Sequence, residues 1–404
     1  MLQRTEYLNK LMAFKDSELI KVVMGIRRCG KSTLLRLYID RLRSAGIPQK
    51  RIIFINFEDF ENAELANPKI LHQYIAEKTV TKRKYYVFLD EIQVVPDFEK
   101  VINSLNLRKN IDLYITGSNA YFLSGELATL LSGRYVSIEM MPLSFREYCS
   151  AFRNVAREKL FENYISFSSF PYALELGFNR ERINDYLAGI MNTVILKDVV
   201  QRKKISDIAV LERLIKFIFG NIGFLTSTKK ISDNLKSFGF KISVQTVENY
   251  LAALQDSYII YKVNRLDVNG REYLKANDKY FVADLGIRRY LLGDKRKDYG
   301  SILENIVYLE LVRRGYEVFV GRLGNLEIDF IAFKNGIPSY YQVAYTVREK
   351  STFERELAPL EKIKDNYEKF IITMDSGTSN DKGIKTINAL DFLCRGVACN
   401  APTF

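Results

Sequence analysis

The sequence predicts an α/β fold built on a buried parallel sheet, and three observations predict it. Short apolar runs of strand length recur through the first third of the chain: Lys21-Val22-Val23-Met24, Arg51-Ile52-Ile53-Phe54-Ile55-Asn56-Phe57-Glu58, Tyr85-Tyr86-Val87-Phe88-Leu89 and Asp112-Leu113-Tyr114-Ile115-Thr116. Such near-continuous runs belong to strands covered on both faces. The first of them leads through glycines into a helical pattern with Leu34, Leu35, Leu37 and Leu42 on its apolar positions. The third ends in two carboxylates, Asp90 and Glu91, at the edge where open α/β sheets hold their ligands.

The glycine turn Gly25-Ile26-Arg27-Arg28-Cys29-Gly30-Lys31-Ser32 fits G-x-x-x-x-G-K-[ST], the P-loop pattern, in the strand–turn–helix context that the pattern requires. Backbone N–H groups of such a loop point inward at a phosphate chain, and the following helix adds its positive dipole end. The nucleotide-binding set expected is Gly25, Arg28, Cys29, Gly30, Lys31, Ser32 and Thr33, with Lys31 on the β/γ-phosphates and Ser32 on Mg²⁺. Arg27 and Arg28 are placed either to touch a phosphate or to close against Glu58, and Cys29 reads as a small filler of the loop. Asp90 and Glu91 then read as a Walker B pair: Asp90 for Mg²⁺, Glu91 to orient and polarise the attacking water. After the next strand, Asn119 is the candidate for a sensor of the γ-phosphate, with Ser118 second. Arg134, at a turn before a further strand near 135–138, is the candidate arginine finger, in cis or from a neighbouring subunit.

Composition narrows the classes. The chain has 404 residues, 47% of them hydrophobic, with 26 Phe and 25 Tyr, enough for a sizeable core in two to four domains. A single histidine, His72, excludes a histidine-rich metal site and leaves little room for a histidine base. The four cysteines, Cys29, Cys149, Cys394 and Cys399, form no C-x-x-C pair and read as free thiols. No apolar run approaches membrane-spanning length and the N-terminus lacks a signal-like apolar region, so a cytoplasmic chain is expected, with no membrane contact. The net charge of +12 permits contact with nucleic acid without proving it.

Taken together, Gly-Ile-Arg-Arg-Cys-Gly-Lys-Ser-Thr-Leu-Leu, Phe-Leu-Asp-Glu-Ile-Gln, Ile-Thr-Gly-Ser-Asn and Met141-Pro-Leu-Ser-Phe-Arg-Glu-Tyr148 resemble the prokaryotic AAA-type P-loop ATPases, "ATP-binding proteins" with a C-terminal domain of unknown function. The likeness runs over nearly the whole chain. It implies a P-loop NTPase sheet of the AAA/ASCE type with strand order 5-1-4-3-2 and ATP at its C-terminal edge.

The rest of the chain gives four expected segments: an ATPase domain over 1–150, a helical lid or connector over 151–204, a winged helix-turn-helix over 205–295, and a nuclease-like domain over 296–404. The winged helix rests on helical patterns at 210–219, 228–238 and 243–256 followed by strands near 258–266 and 278–283, and the family resemblance implies the same. Its third helix has no Lys or Arg from Ser243 to Asp256, whereas residues 197–242 hold ten basic residues against four acids, and Lys262, Arg265, Arg271, Lys275 and Lys279 follow. That distribution suits contact with a nucleic-acid backbone and not base reading. In the last segment, Glu304 on a helix, Asp329 on a strand and Gln342 on the next look like a PD-(D/E)XK nuclease core. Gln342 stands where that motif has an acid and Ala344 where it has lysine, so no efficient cleavage is expected.

The function expected is a Mg²⁺-dependent ATPase whose nucleotide state governs the winged-helix and nuclease-like half, in signalling or nucleic-acid remodelling, with ATP and Mg²⁺ as ligands, an unidentified protein partner and a homo-oligomer as an option. The rivals are a nucleic-acid-binding module with ATP as a structural ligand and a metal-dependent nuclease.

Overall fold

The structure, a computed structural model, describes residues 2–117, 131, 133–194, 199–200, 205, 207–268, 270, 273–294 and 298–394. It divides into two compact units: Met1–Pro142 with Asp256–Tyr258, and Leu143–Gln255 with Ile259–Phe404.

The first unit runs α1 (Thr5–Ala13), β1 (Ile20–Met24), α2 (Lys31–Ser44), β2 (Ile52–Asn56), α3 (Pro68–Lys78), β3 (Tyr85–Asp90), α4 (Phe98–Asn106), β4 (Ile111–Gly117) and β5 (Tyr135–Glu139). All strand pairs are parallel and the order is β2-β3-β4-β1-β5, which is the 5-1-4-3-2 order that the resemblance implied. Every residue of β1, β3 and β4 is buried, as the apolar runs require of central strands. Two charges are buried with them. Lys21 on β1 donates to Asp112 on β4, both without exposure, and Tyr114 donates to the other Asp112 oxygen at 2.9 Å. His72 on α3 meets Ser104 on α4 at 2.9 Å, a structural tie between two helices.

The second unit begins with α5 (Phe145–Ser150), opened by a capping box in which Ser144 and Glu147 satisfy each other's backbone N–H groups. There follow α6 (Arg157–Ser166), α7 (Arg180–Thr193), α8 (Ile208–Gly220), α9 (Thr228–Ser237), α10 (Val244–Asp256), β6 (Ile260–Asp267), β7 (Tyr273–Val282), α11 (Leu285–Leu292), α12 (Tyr299–Arg313), β8 (Glu317–Leu323), β9 (Leu326–Lys334), β10 (Ile337–Ala344), α13 (Lys350–Glu361), β11 (Lys369–Thr373), β12 (Ser379–Asp381), β13 (Ile384–Asn388) and α14 (Ala389–Cys394). Ser227 caps α9 through the Lys230 N–H, as its sequence suggests.

The chain runs on within one compact unit across two of the expected boundaries. The sequence pattern puts strands β6 and β7 in one domain and β8 onward in another, yet all eight form one sheet in the order β12-β13-β11-β10-β9-β8-β6-β7. The junction is the parallel pairing of Arg265, Leu266 and Asp267 with Val320, Gly321 and Arg322. A two-stranded ribbon leaves an open edge, and β8 covers it. The stretch read as a lid or connector is likewise anchored within this unit. Asp284, buried at the start of α11, accepts from the Ser169 N–H and hydroxyl, each at 2.6 Å, and from Ile287 N–H at 2.8 Å. Gly286 lets the loop after α6 lie against α11: a Cβ there would stand 2.1 Å from the Phe167 carbonyl oxygen. Among the described residues no helix is long and apolar enough to cross a membrane.

Candidate nucleotide site and a second carboxylate cluster

The turn after β1 has the geometry of an anion cradle. Gly25 (φ 145°), Arg28 (φ 66°) and Gly30 (φ 102°) take positive φ, which folds the chain back over the start of α2. Gly25 is also sterically obligatory, since a Cβ would fall 2.0 Å from the Met140 carbonyl oxygen. No side chain caps α2, whose first N–H groups lack intrahelical acceptors and face the loop. The Lys31 ammonium rests on the Gly25 carbonyl at 3.1 Å and lies 3.7 Å from Glu91 Oε1. Arg27 takes the second of its two expected places, against Glu58 at 3.5 Å, while Arg28 is exposed. Cys29 is buried, and burial pushes its thiol up, which suits a filler and not a reactive group.

At the end of β3, Asp90 is fully buried and its carboxyl is pushed up by that burial, while the nearby Thr116 and Ser32 hydroxyls pull it down. Thr116 donates to Asp90 Oδ1 at 2.6 Å and accepts the Glu91 N–H at 2.9 Å. Asp90 Oδ2 is buried with no hydrogen-bond partner. An orphaned carboxylate oxygen next to a serine hydroxyl is a donor set that fits Mg²⁺, which takes oxygen ligands. Glu91 has φ 56°, a strained value for a glutamate, and its Oε2 accepts from Gln93 Nε2 at 2.5 Å.

Two other candidates fare differently. Asn119, like Ser118, lies outside the described residues. Arg134 is a correction as a finger in cis. Its carbonyl accepts from Ile20 N–H, at the N-terminal ends of β5 and β1, whereas the phosphate loop leaves β1 at its C-terminal end after Met24. With both strands parallel, a length of five residues, about 16 Å, separates the two ends.

The second unit brings Glu304 (α12), Asp329 (β9) and Gln342 (β10) together as expected. Asp329 N–H donates to Gln342 Oε1 at 2.7 Å, and Asp329 Oδ2 accepts the Val343 N–H at 2.9 Å. Gln342 Nε2 donates to Glu356 on α13 at 3.1 Å. Lys279 on β7 is a correction. Expected on a basic surface, it is instead 3% exposed, with its ammonium 2.7 Å from Glu304, 2.8 Å from Glu327 and 3.4 Å from Asp329. Burial pushes the Glu304 carboxyl up while the Lys279 ammonium pulls it down, and burial disfavours the Lys279 charge but the facing Glu304, Asp329 and Glu327 outweigh it, raising Lys279 above the ordinary lysine range.

Residues 17–149 match the AAA domain, and residues 158–298 match a domain of unknown function (DUF8612). An uncharacterized protein of Haemophilus influenzae is 41% identical over 97% of this chain and 98% of its own length. The chain belongs to that protein's family. A second relative, an uncharacterized protein of Methanocaldococcus jannaschii, is 31% identical over 92% of this chain and 85% of its own length. Among solved structures, a Walker-type ATPase of Pyrococcus abyssi superposes with a TM-score of 0.50 at 16% identity, covering 72% of this chain and 96% of that one, a likeness of fold.

Three further positions bear on these two clusters. Thr116 reads as an ordinary β-branched strand residue. Arg4, 4% exposed, donates to the Cys29 carbonyl at 3.1 Å and the Met141 carbonyl at 2.7 Å, bracing the loop after β1 from the residue that precedes α1. Glu327 precedes Asp329 by two positions on β9, and that i,i+2 spacing was the available signal for a second acid on the same face.

Proposed function

We propose that this protein binds ATP with Mg²⁺ at the loop between β1 and α2 and hydrolyses it. The observation that carries the reading is the buried, unpartnered Asp90 Oδ2 beside Ser32, set next to Lys31 and Glu91 at the uncapped start of α2. Ser32 and Asp90 would hold the metal, which when bound neutralises phosphate charge. The backbone from Gly25 to Thr33 cradles the phosphates and Lys31 moves from the loop carbonyls onto the β/γ-phosphates. Glu91 orients and polarises the attacking water, its backbone fixed by Thr116. Arg134 remains a candidate only for a neighbouring subunit's site.

The second half is read as the part that responds to nucleotide. The helices α8 to α10 with β6 and β7 support a winged helix-turn-helix, and the exposed Lys229 and Lys230 on α9 support contact with a nucleic-acid backbone.

Isothermal titration of ATP with Mg²⁺ tests the site. Lys31→Ala should abolish binding in a folded protein, and wild-type affinity in that variant would remove the assignment. Glu91→Gln should retain ATP while phosphate release falls by at least about a hundredfold, the usual scale for losing a general base. Unchanged turnover would place the base elsewhere.

A further inference from the structure

The nuclease-like reading of the second unit implies a divalent cation held by Glu304 and Asp329, and the residues present do not fit one. The place such an ion would take is filled by the Lys279 ammonium, which contacts Glu304 Oε1 at 2.7 Å, Glu327 Oε1 at 2.8 Å and Asp329 Oδ1 at 3.4 Å. The two shorter distances are charge-assisted N–H···O lengths; Mg²⁺ holds its oxygens at about 2.0–2.1 Å and Ca²⁺ at about 2.3–2.6 Å. An ammonium has three protons, and here three carboxylates face it. Lys279 is 3% exposed, so it does not swing freely to solvent. The remaining Asp329 oxygen is taken by the Val343 N–H. Gly223, at φ 74°, closes the other side: a Cβ there would meet Glu304 Oε2 at 2.7 Å, and its N–H bonds the Tyr280 carbonyl on β7. Backbone therefore lies close against the Glu304 carboxyl.

We propose that Lys279 is the resident cation of this carboxylate cluster, so that the second unit binds no divalent ion there and is not a metal nuclease. The ammonium ties β7 to α12 and β9 as a metal would, and it arrives from the ribbon that shares the nuclease-like sheet. Removing it should expose a latent metal site.

Mn²⁺ titration by electron paramagnetic resonance, on nucleotide-free full chain carrying Asp90→Asn to silence the first site, tests this. The Asp90→Asn chain should bind no Mn²⁺ at concentrations that saturate the same chain with Lys279→Met. The methionine keeps the aliphatic stem and removes the charge. The Lys279→Met chain should take up one Mn²⁺, lose it again on adding Asp329→Asn, and melt at a higher temperature with Mn²⁺ than with chelator. A folded Lys279→Met chain that binds no Mn²⁺ would overturn the proposal. The Asp90→Asn arm decides by itself if Lys279→Met does not fold. Mn²⁺ bound there and released by Glu304→Gln overturns the proposal; no uptake, with melting unmoved by Mn²⁺ or chelator, supports it.

Discussion

Thr116 holds the two acidic residues of the proposed nucleotide site with one hydroxyl, donating to Asp90 Oδ1 and accepting from the Glu91 N–H. The register of β3 and β4 places it there: Leu89 pairs with Ile115, so the next positions are Asp90 and Thr116. Thr116→Val removes both bonds while keeping shape. It should lower ATPase turnover about 10- to 100-fold, the range for residues that orient metal ligands, and raise the Mg²⁺ concentration for half-maximal activity. Thr116→Ser should restore both. A loss of turnover with unchanged Mg²⁺ dependence would make Thr116 merely structural. The P-loop residues were legible because their chemistry is local, with glycines, lysine and serine at fixed spacing in one turn. Thr116 was not, because its role exists only once two strands separated in sequence are laid side by side. The place of Lys279 was hidden for the same reason: its partners stand 25 to 50 positions further along the chain.

Among the elements, β1 and β4 are bound by more than their ladder. Lys21 and Asp112 form a charge pair with no exposure on either side chain, and Tyr38 of α2 joins through Tyr114 at 3.1 Å. Burial pulls the Lys21 ammonium down, with the Lys84 charge adding to it, and Asp112 opposes them. Breaking such a pair leaves one buried charge uncompensated, so Asp112→Leu alone should cost about 3–5 kcal/mol. Lys21→Met with Asp112→Leu together should recover much of that, because two apolar side chains of similar volume need no partner. Urea unfolding of the two singles and the double closes the cycle, and additive effects would deny the coupling. Helices and strands were largely readable at this scale: the pattern at 228–238 became Thr228–Ser237 and that at 210–219 became Ile208–Gly220. What the pattern did not reveal was that β6 joins β8. A hairpin announces its pairing through its turn, whereas the parallel match of Arg265 with Val320 leaves no local mark.

For the whole molecule, the net charge of +12 acquires a narrower meaning once the buried and paired lysines are set aside. Lys279 is buried facing three carboxylates and is not offered to a polyanion, and Lys262 is paired with Asp278 at 3.0 Å. Lys229 and Lys230 at the start of α9 are exposed. On α10, Gln245 and Asn249 lie on one exposed face with Gln245 Nε2 donating to Asn249 Oδ1 at 3.4 Å, and that helix carries no basic residue for a guanine edge. Binding to duplex DNA should therefore be weak, tolerant of sequence and dominated by phosphate contacts. Affinity should fall linearly with salt on logarithmic axes, because each neutralised phosphate releases condensed counterions. Reversing Lys229 and Lys230 to Glu should weaken all sequences alike and flatten that slope by about two, near 0.9 for each phosphate left without its lysine. Asn249→Ala should change little. Fluorescence anisotropy over a salt series, with and without ATP and Mg²⁺, measures both slopes. A dependence on nucleotide would tie the second half to the first. Absence of binding at low salt would leave α8 to α10 a protein-docking element, and binding confined to one sequence and abolished in Asn249→Ala would make α10 a base reader after all.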